Sequence, residues 1–141
     1  CKMGYWGESP WDNDQAADYF AEVFEKSKIH EVIAETLNEE VTYENCDQIR
    51  GAIMLFIQLG HNYIYDSDSY EDHLELCLKK NEELTIYWKD EGGWDGDPEF
   101  GNWLKKERSI LERRLSNIGV HASKRPALSP DLINWWANWI D

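Results

Sequence analysis

Four histidines, three cysteines and two short acidic runs are the groups in this chain with chemistry beyond solvation. His30, His61, His73 and His121 each stand alone in sequence, and Cys1, Cys46 and Cys77 form no Cys-x-x-Cys pair. Covalent catalysis needs a nucleophile, a base and a group that holds charge in the transition state. Gly7-Glu8-Ser9-Pro10 is not a nucleophile elbow, which requires glycine two residues after the serine, where Trp11 stands. The chain has no glycine-rich phosphate loop and no His-Glu-x-x-His. A dyad through space, with Cys46 or Cys77 meeting His61 or His73, is the one nucleophilic arrangement left. Apolar-flanked cysteines are more often core filler. No catalytic residue is assigned, and the expected class is a protein that is not an enzyme.

Metal chemistry is equally thin. His73 and Cys77 lie four apart at helical spacing, which supplies two zinc ligands where four are needed. Asp66-Ser67-Asp68 resembles the opening of a calcium loop, but Glu71 replaces the sixth-position glycine and Cys77 the twelfth-position glutamate. Asp95-Gly96-Asp97-Pro98-Glu99 is acidic but runs straight into a helix start. Neither a metal nor a cofactor is expected. The acids Asp66, Asp68, Glu71, Asp72, Asp95 and Asp97, with Trp94 among them, sit in or beside loops. They are the candidate partner contacts.

The elements that position these groups read as helices. Ala16, Ala17, Phe20, Val23 and Phe24 recur at helical spacing behind the capping residues Asp12 and Asn13. A second helix is predicted over Ile29–Leu37. A third, from about Asn45 to Leu59, carries Ile49, Ala52, Ile53, Leu55, Phe56 and Leu59 over more than one face. It is therefore the expected buried centre, with Gly60 as its C-cap. After a polar loop over 61–69, Leu74, Cys77, Leu78, Leu84 and Trp88 mark a long helix from about Tyr70. Glycines at 92, 93 and 96 break it, and Asp97-Pro98 starts another that runs to Gly119. A basic linker, His121 to Leu128, leads to a last short helix from Ser129-Pro130 with Leu132, Trp135, Trp136, Trp139 and Ile140. It is expected to dock on the bundle. Glu40–Tyr43 and Thr85–Tyr87 are weak strand candidates. The expected fold is all-α, a single-domain bundle of five to six helices over residues 1–141, after an ordered Trp/Gly/Pro lead-in.

Charge sets the function classes. The 141 residues carry a formal net charge of −14. Residues 3–48 hold twelve acids against two lysines, and residues 49–100 twelve acids against four bases. Residues 101–141 reverse the sign, with four acids and seven bases. Such a field repels nucleic acid and anionic membrane and attracts basic proteins or cations. The bland alternative is that acidity only maintains solubility. The longest apolar stretch, Ala52–Leu59, is interrupted by Gln58 and falls well short of the ~20 residues of a membrane span. An odd cysteine count without a framework suits a reducing compartment, so the expected location is cytoplasmic. A lipid anchor on Cys1 is the competing reading, against a native start at Met3.

The opening Met3-Gly4-Tyr5-Trp6-Gly7, followed by Asp12-Asn13-Asp14-x-Ala16-Ala17-Asp18, resembles the domain-of-unknown-function family 4259 of small bacterial proteins. The likeness is sharp over about sixteen residues and general over most of 3–118. It implies an all-helical bacterial cytoplasmic protein and brings no catalytic residues. Gly4, Trp6, Gly7, Asp12, Asn13 and Asp14 then form a structural motif in which the glycines let Trp6 turn back onto the bundle. Acidity without a catalytic constellation makes an immunity or antitoxin-type protein, a toxin inhibitor that binds a basic partner, the leading expectation. A metal-assisted hydrolase with an acidic cleft, or a surface lipoprotein or adaptor, is the alternative.

Overall fold

Apolar residues recurring every three or four positions fold the chain into five α-helices in the computed structural model, which describes residues 14–60 and 64–118. They are α1 (Asp14–Ser27), α2 (Ile29–Leu37), α3 (Cys46–Leu59), α4 (Tyr70–Asp90) and α5 (Pro98–Ser116), with a 3₁₀ turn at Gly93–Gly96. Among the described residues there is no strand. Glu40–Tyr43 is a loop and Thr85–Tyr87 lies inside α4. No helix among the described residues is long and apolar enough to cross a membrane.

The core is built where three stripes meet. Ile33 and Leu37 of α2, Ile49, Ile53, Phe56 and Ile57 of α3, and Leu74, Cys77 and Leu84 of α4 are all buried. Leu104, Ile110 and Leu111 of α5 close it from the far side. The α4 helix touches α2, α3 and α5, so its inward stripe is the axis of the bundle. The boundaries of α2 fall where its apolar period begins and ends. The sharp corner before it is made by Lys28, whose left-handed φ of 56° lets its N–H bond back to the Phe24 carbonyl at 3.0 Å.

Two expectations about packing are corrected. The α3 helix is not buried all round. Ile49, Ala52, Ile53 and Phe56 face the core, whereas Leu55 is 44% exposed. No described element lies over that side. In α1, Phe24 is buried but Val23 is exposed, because this helix lies at the margin of the bundle. Gly60 does terminate α3, but with φ −82° and not in the left-handed conformation of a usual glycine cap. It is required there by crowding. A Cβ would overlap the Phe56 carbonyl oxygen and ring.

The lead-in with Gly4, Trp6, Gly7 and Trp11, the caps Asp12 and Asn13, His61 and everything from Gly119 onward lie outside the described residues. That includes the linker and Trp135, Trp136 and Trp139.

Candidate functional site

The α4 helix sorts the candidate contact residues into two groups. Asp66, Asp68, Glu71 and Asp72 cluster at its N-terminal end, and Trp94, Asp95 and Asp97 lie just past its C-terminal end. At 1.5 Å per residue, about 27 Å of helix axis separates Asp72 from Asp90. The sequence-predicted acids therefore form two patches and not one face.

The first patch is a turn folded around Asp66. Its carboxylate accepts the Ser69 hydroxyl proton at 2.7 Å, and Oδ2 lies 3.9 Å from His30 Nε2. Asp68, Glu71 and Asp72 stay exposed, the last two in the first turn of α4, where the helix dipole favours anions. Beneath them is an aromatic nest. Tyr65 packs against Phe24 and Phe56 with ring centroids 5.0 and 4.9 Å away, and its hydroxyl meets His73 Nδ1 at 2.8 Å. Burial, and secondarily His30, lowers the His73 pKa, while burial raises that of Tyr65. The hydroxyl therefore stays protonated, and it shares one hydrogen bond with the imidazole, whose tautomer sets which of the two donates.

The same arrangement sets the surroundings of the two described cysteines. Cys77 is fully buried, and desolvation raises its thiol pKa against a smaller pull from Arg114. His73 Nδ1 is engaged by Tyr65, and Cys46 Sγ points to the Tyr43 carbonyl at 3.6 Å. Among the described residues, no three His, Cys, Asp or Glu side chains converge as metal ligands. Arg114 of α5 reaches the end of α3, donating to the Phe56 and Gly60 carbonyls at 3.4 and 3.2 Å. Desolvation lowers its pKa to about 10, which leaves it charged at neutral pH.

The second patch hangs on a run of left-handed residues. Gly92, Trp94, Asp95 and Gly96 have φ of 75°, 52°, 56° and 68°. Two non-glycines in that region cost roughly 1–2 kcal/mol each and need holding in place. Trp94 does the holding. Its indole N–H donates to Asp47 Oδ1 of α3 at 2.8 Å, and its ring stacks on Phe100 at 5.0 Å with a 9° interplanar angle. Asp97 caps α5 by accepting from the Glu99 N–H at 2.9 Å, and its carbonyl takes the Trp88 indole proton at 2.8 Å. Asp95 remains exposed.

Behind Trp94 lies a buried polar centre that the sequence reading did not single out. Arg50 of α3 lies over the Phe100 ring at 5.4 Å and donates through Nε to Glu107 Oε1 of α5 at 3.0 Å. Glu107 is 1% exposed, and desolvation outweighs Arg50 to raise its pKa to about 7. Its Oε2 has no hydrogen-bond partner, and neither has Oδ1 of Asn81 in α4. The Asn81 amide donates to the Leu104 carbonyl at 3.0 Å. A signal existed in the sequence. Glu107 falls three residues after Leu104 and three before Ile110, and Asn81 falls midway between Cys77/Leu78 and Leu84/Thr85. Both are polar residues on an apolar stripe.

The surface around both patches is anionic. Of 24 acids among the described residues, all but Asp66, Glu83 and Glu107 are exposed. Between described residues, the Lys or Arg ion pair joining different elements is Arg50–Glu107, the others being three or four residues apart; His30 lies near Asp66. Two cations of α5 are engaged within their own helix, Arg108 with Glu112 and Lys106 over the Trp103 ring, while Arg114 reaches the carbonyls at the end of α3.

Neither the curated proteins nor the solved structures contain a match to the chain. A family model does match, over residues 4–83, ending within α4, so the Trp94 turn and α5 lie outside the matched stretch. Since those residues make up more than half of its length, the chain belongs to the family DUF4259, described as a domain of unknown function.

Proposed function

We propose that the chain is a binding protein that captures a basic protein, in the manner of an immunity or antitoxin-type inhibitor masking a cationic toxin. One observation carries the reading: 21 exposed acids with little cross-helix neutralisation among the described residues. A surface of that sign accelerates encounter with a cationic partner and competes with the anionic substrate of a nuclease-like cleft. Asp68, Glu71 and Asp72 at one end of α4, with Asp95 and Asp97 at the other, are the contacts we assign to the partner. Trp94 enters by fixing the turn that presents Asp95.

The test is affinity capture with the chain's native neighbours, in low salt and again near physiological ionic strength. A basic protein retained in the first condition and weakened in the second is the expected outcome. Recovery of chaperones alone would sink the reading.

A further inference from the structure

Between α2 and α3 runs an open apolar groove of about 330 Å³. Its α2 wall is Ile29, Val32, Ile33 and Thr36, the i, i+3, i+4, i+7 positions of one helical stripe. The α3 wall repeats the same spacing from Gln48 to Leu55, with Gly51 between. Val32 is 57% exposed and Leu55 44%. Gly51 opens the channel further, since a Cβ placed there meets nothing within 4 Å. Two facing stripes, one of them carrying a glycine, form the kind of seat into which a third helix lays its apolar side.

Charge selects the occupant. Residues 14–60 carry ten acids and three bases. At 100° per residue, Glu35 of α2 and Asp47 of α3 fall along the solvent edges of the two walls, and both are exposed. A second copy would bring the same negative charge to this seat. The chain after Ile118 offers two bases and two acids, so it brings no net countercharge. We infer that the α2–α3 groove receives an amphipathic helix of a basic partner, with its apolar stripe on Val32, Gly51 and Leu55 and lysines or arginines beside Glu35 and Asp47. The sign of that charge rests on the partner-binding reading above; the helical shape of the occupant rests on the groove alone.

The test titrates the full chain with a labelled amphipathic Leu/Lys peptide of about four helical turns. A scrambled peptide of the same composition and a Leu/Glu version of the same pattern serve as comparisons, read by anisotropy and by amide chemical-shift mapping. Expected are shifts centred on residues 29–36 and 48–55 and tighter binding of the patterned Leu/Lys peptide than of either comparison. A loss of at least about tenfold is expected in both Gly51→Trp and Leu55→Glu. Both sites are solvent-facing, so circular dichroism should show the helices intact. Equal binding of the scrambled peptide, with shifts confined to acidic residues, overturns the groove and leaves the acidic reading standing. Equal binding of the Leu/Glu peptide in the groove overturns the assigned charge and, with it, the acidic reading. Groove amides already covered by residues 129–141 or by a second copy, with no peptide bound, overturn the inference outright.

Discussion

Glu107 shows what a single buried carboxyl does to a fold. Its pKa of about 7 stands above the ordinary value of 4.5, so the protonated form is the one the fold favours. The associated stability is complete below about pH 4.5 and is lost as pH rises through about 7. The total is on the order of 3 kcal/mol. Glu107→Gln keeps a hydrogen-bond acceptor for Arg50 and removes the titration. Urea denaturation at a series of pH values should show the wild type losing ground to this variant between roughly pH 5 and pH 8. Parallel curves would exclude the assignment. Asp97 is the opposite kind of residue, exposed and local. Asp97→Ala removes the acceptor for the Glu99 N–H and should cost about 1 kcal/mol of stability, read from the urea midpoint. Asp97 was legible because the Asp-Pro pair states its own role. Glu107 was not, because a charge in a list of charges reads as surface until its place on the apolar stripe is weighed against it.

At the scale of elements, two close approaches set the geometry of the bundle. Gly101 lies where α5 meets α4, and a Cβ there would fall 2.6 and 2.7 Å from ring atoms of Trp88. That ring is tethered through its N–H to the Asp97 carbonyl and cannot swing aside without losing the bond. Gly101→Ala should therefore destabilise by about 1–3 kcal/mol despite its better helix propensity, and a stabilised variant would show that Trp88 yields. Lys28 runs the other way. Its left-handed φ of 56° suits glycine, and its contact to Glu31 is exposed and 4.0 Å long. Lys28→Gly should raise the denaturation midpoint by about 1 kcal/mol equivalent, with unchanged m-value. Helix existence was readable throughout the described residues because the apolar periods are long and the breakers are glycine and proline. The exposed side of α3 was not readable. Leu55 has the same residue type as its buried neighbours, and only the number of helices around α3 decides which side is left bare. The nest of Tyr65, His30 and His73 was hidden for a related reason. Residues alone in sequence are brought together by the corner at Lys28 and the turn at Asp66.

Across the whole molecule, exposed anions repel one another, and among the described residues few cations reach an acid on another element. Raising ionic strength from about 0.01 M to about 0.15 M shortens the screening length from ~30 to ~8 Å. Thermal midpoints should rise by a few degrees over that range. Capture of a basic partner should weaken over the same range. Opposite responses to one variable, measured on the same sample, separate self-repulsion from recognition. A flat thermal response would mean that the acids are neutralised by groups outside the described residues.

If the proposed partner binds both acidic patches, their placement at the ends of α4 also sets the size of what the protein would hold. A single helix of 21 residues is a rigid spacer, so a partner that touches both ends makes two weak contacts with almost no freedom between them. Tethering of that kind multiplies affinities through effective concentration, and it collapses when the span is wrong. A partner fragment that reaches one end would thus lose affinity out of proportion to its missing contacts. The chain would act on its partner as a gauge of length as well as of charge.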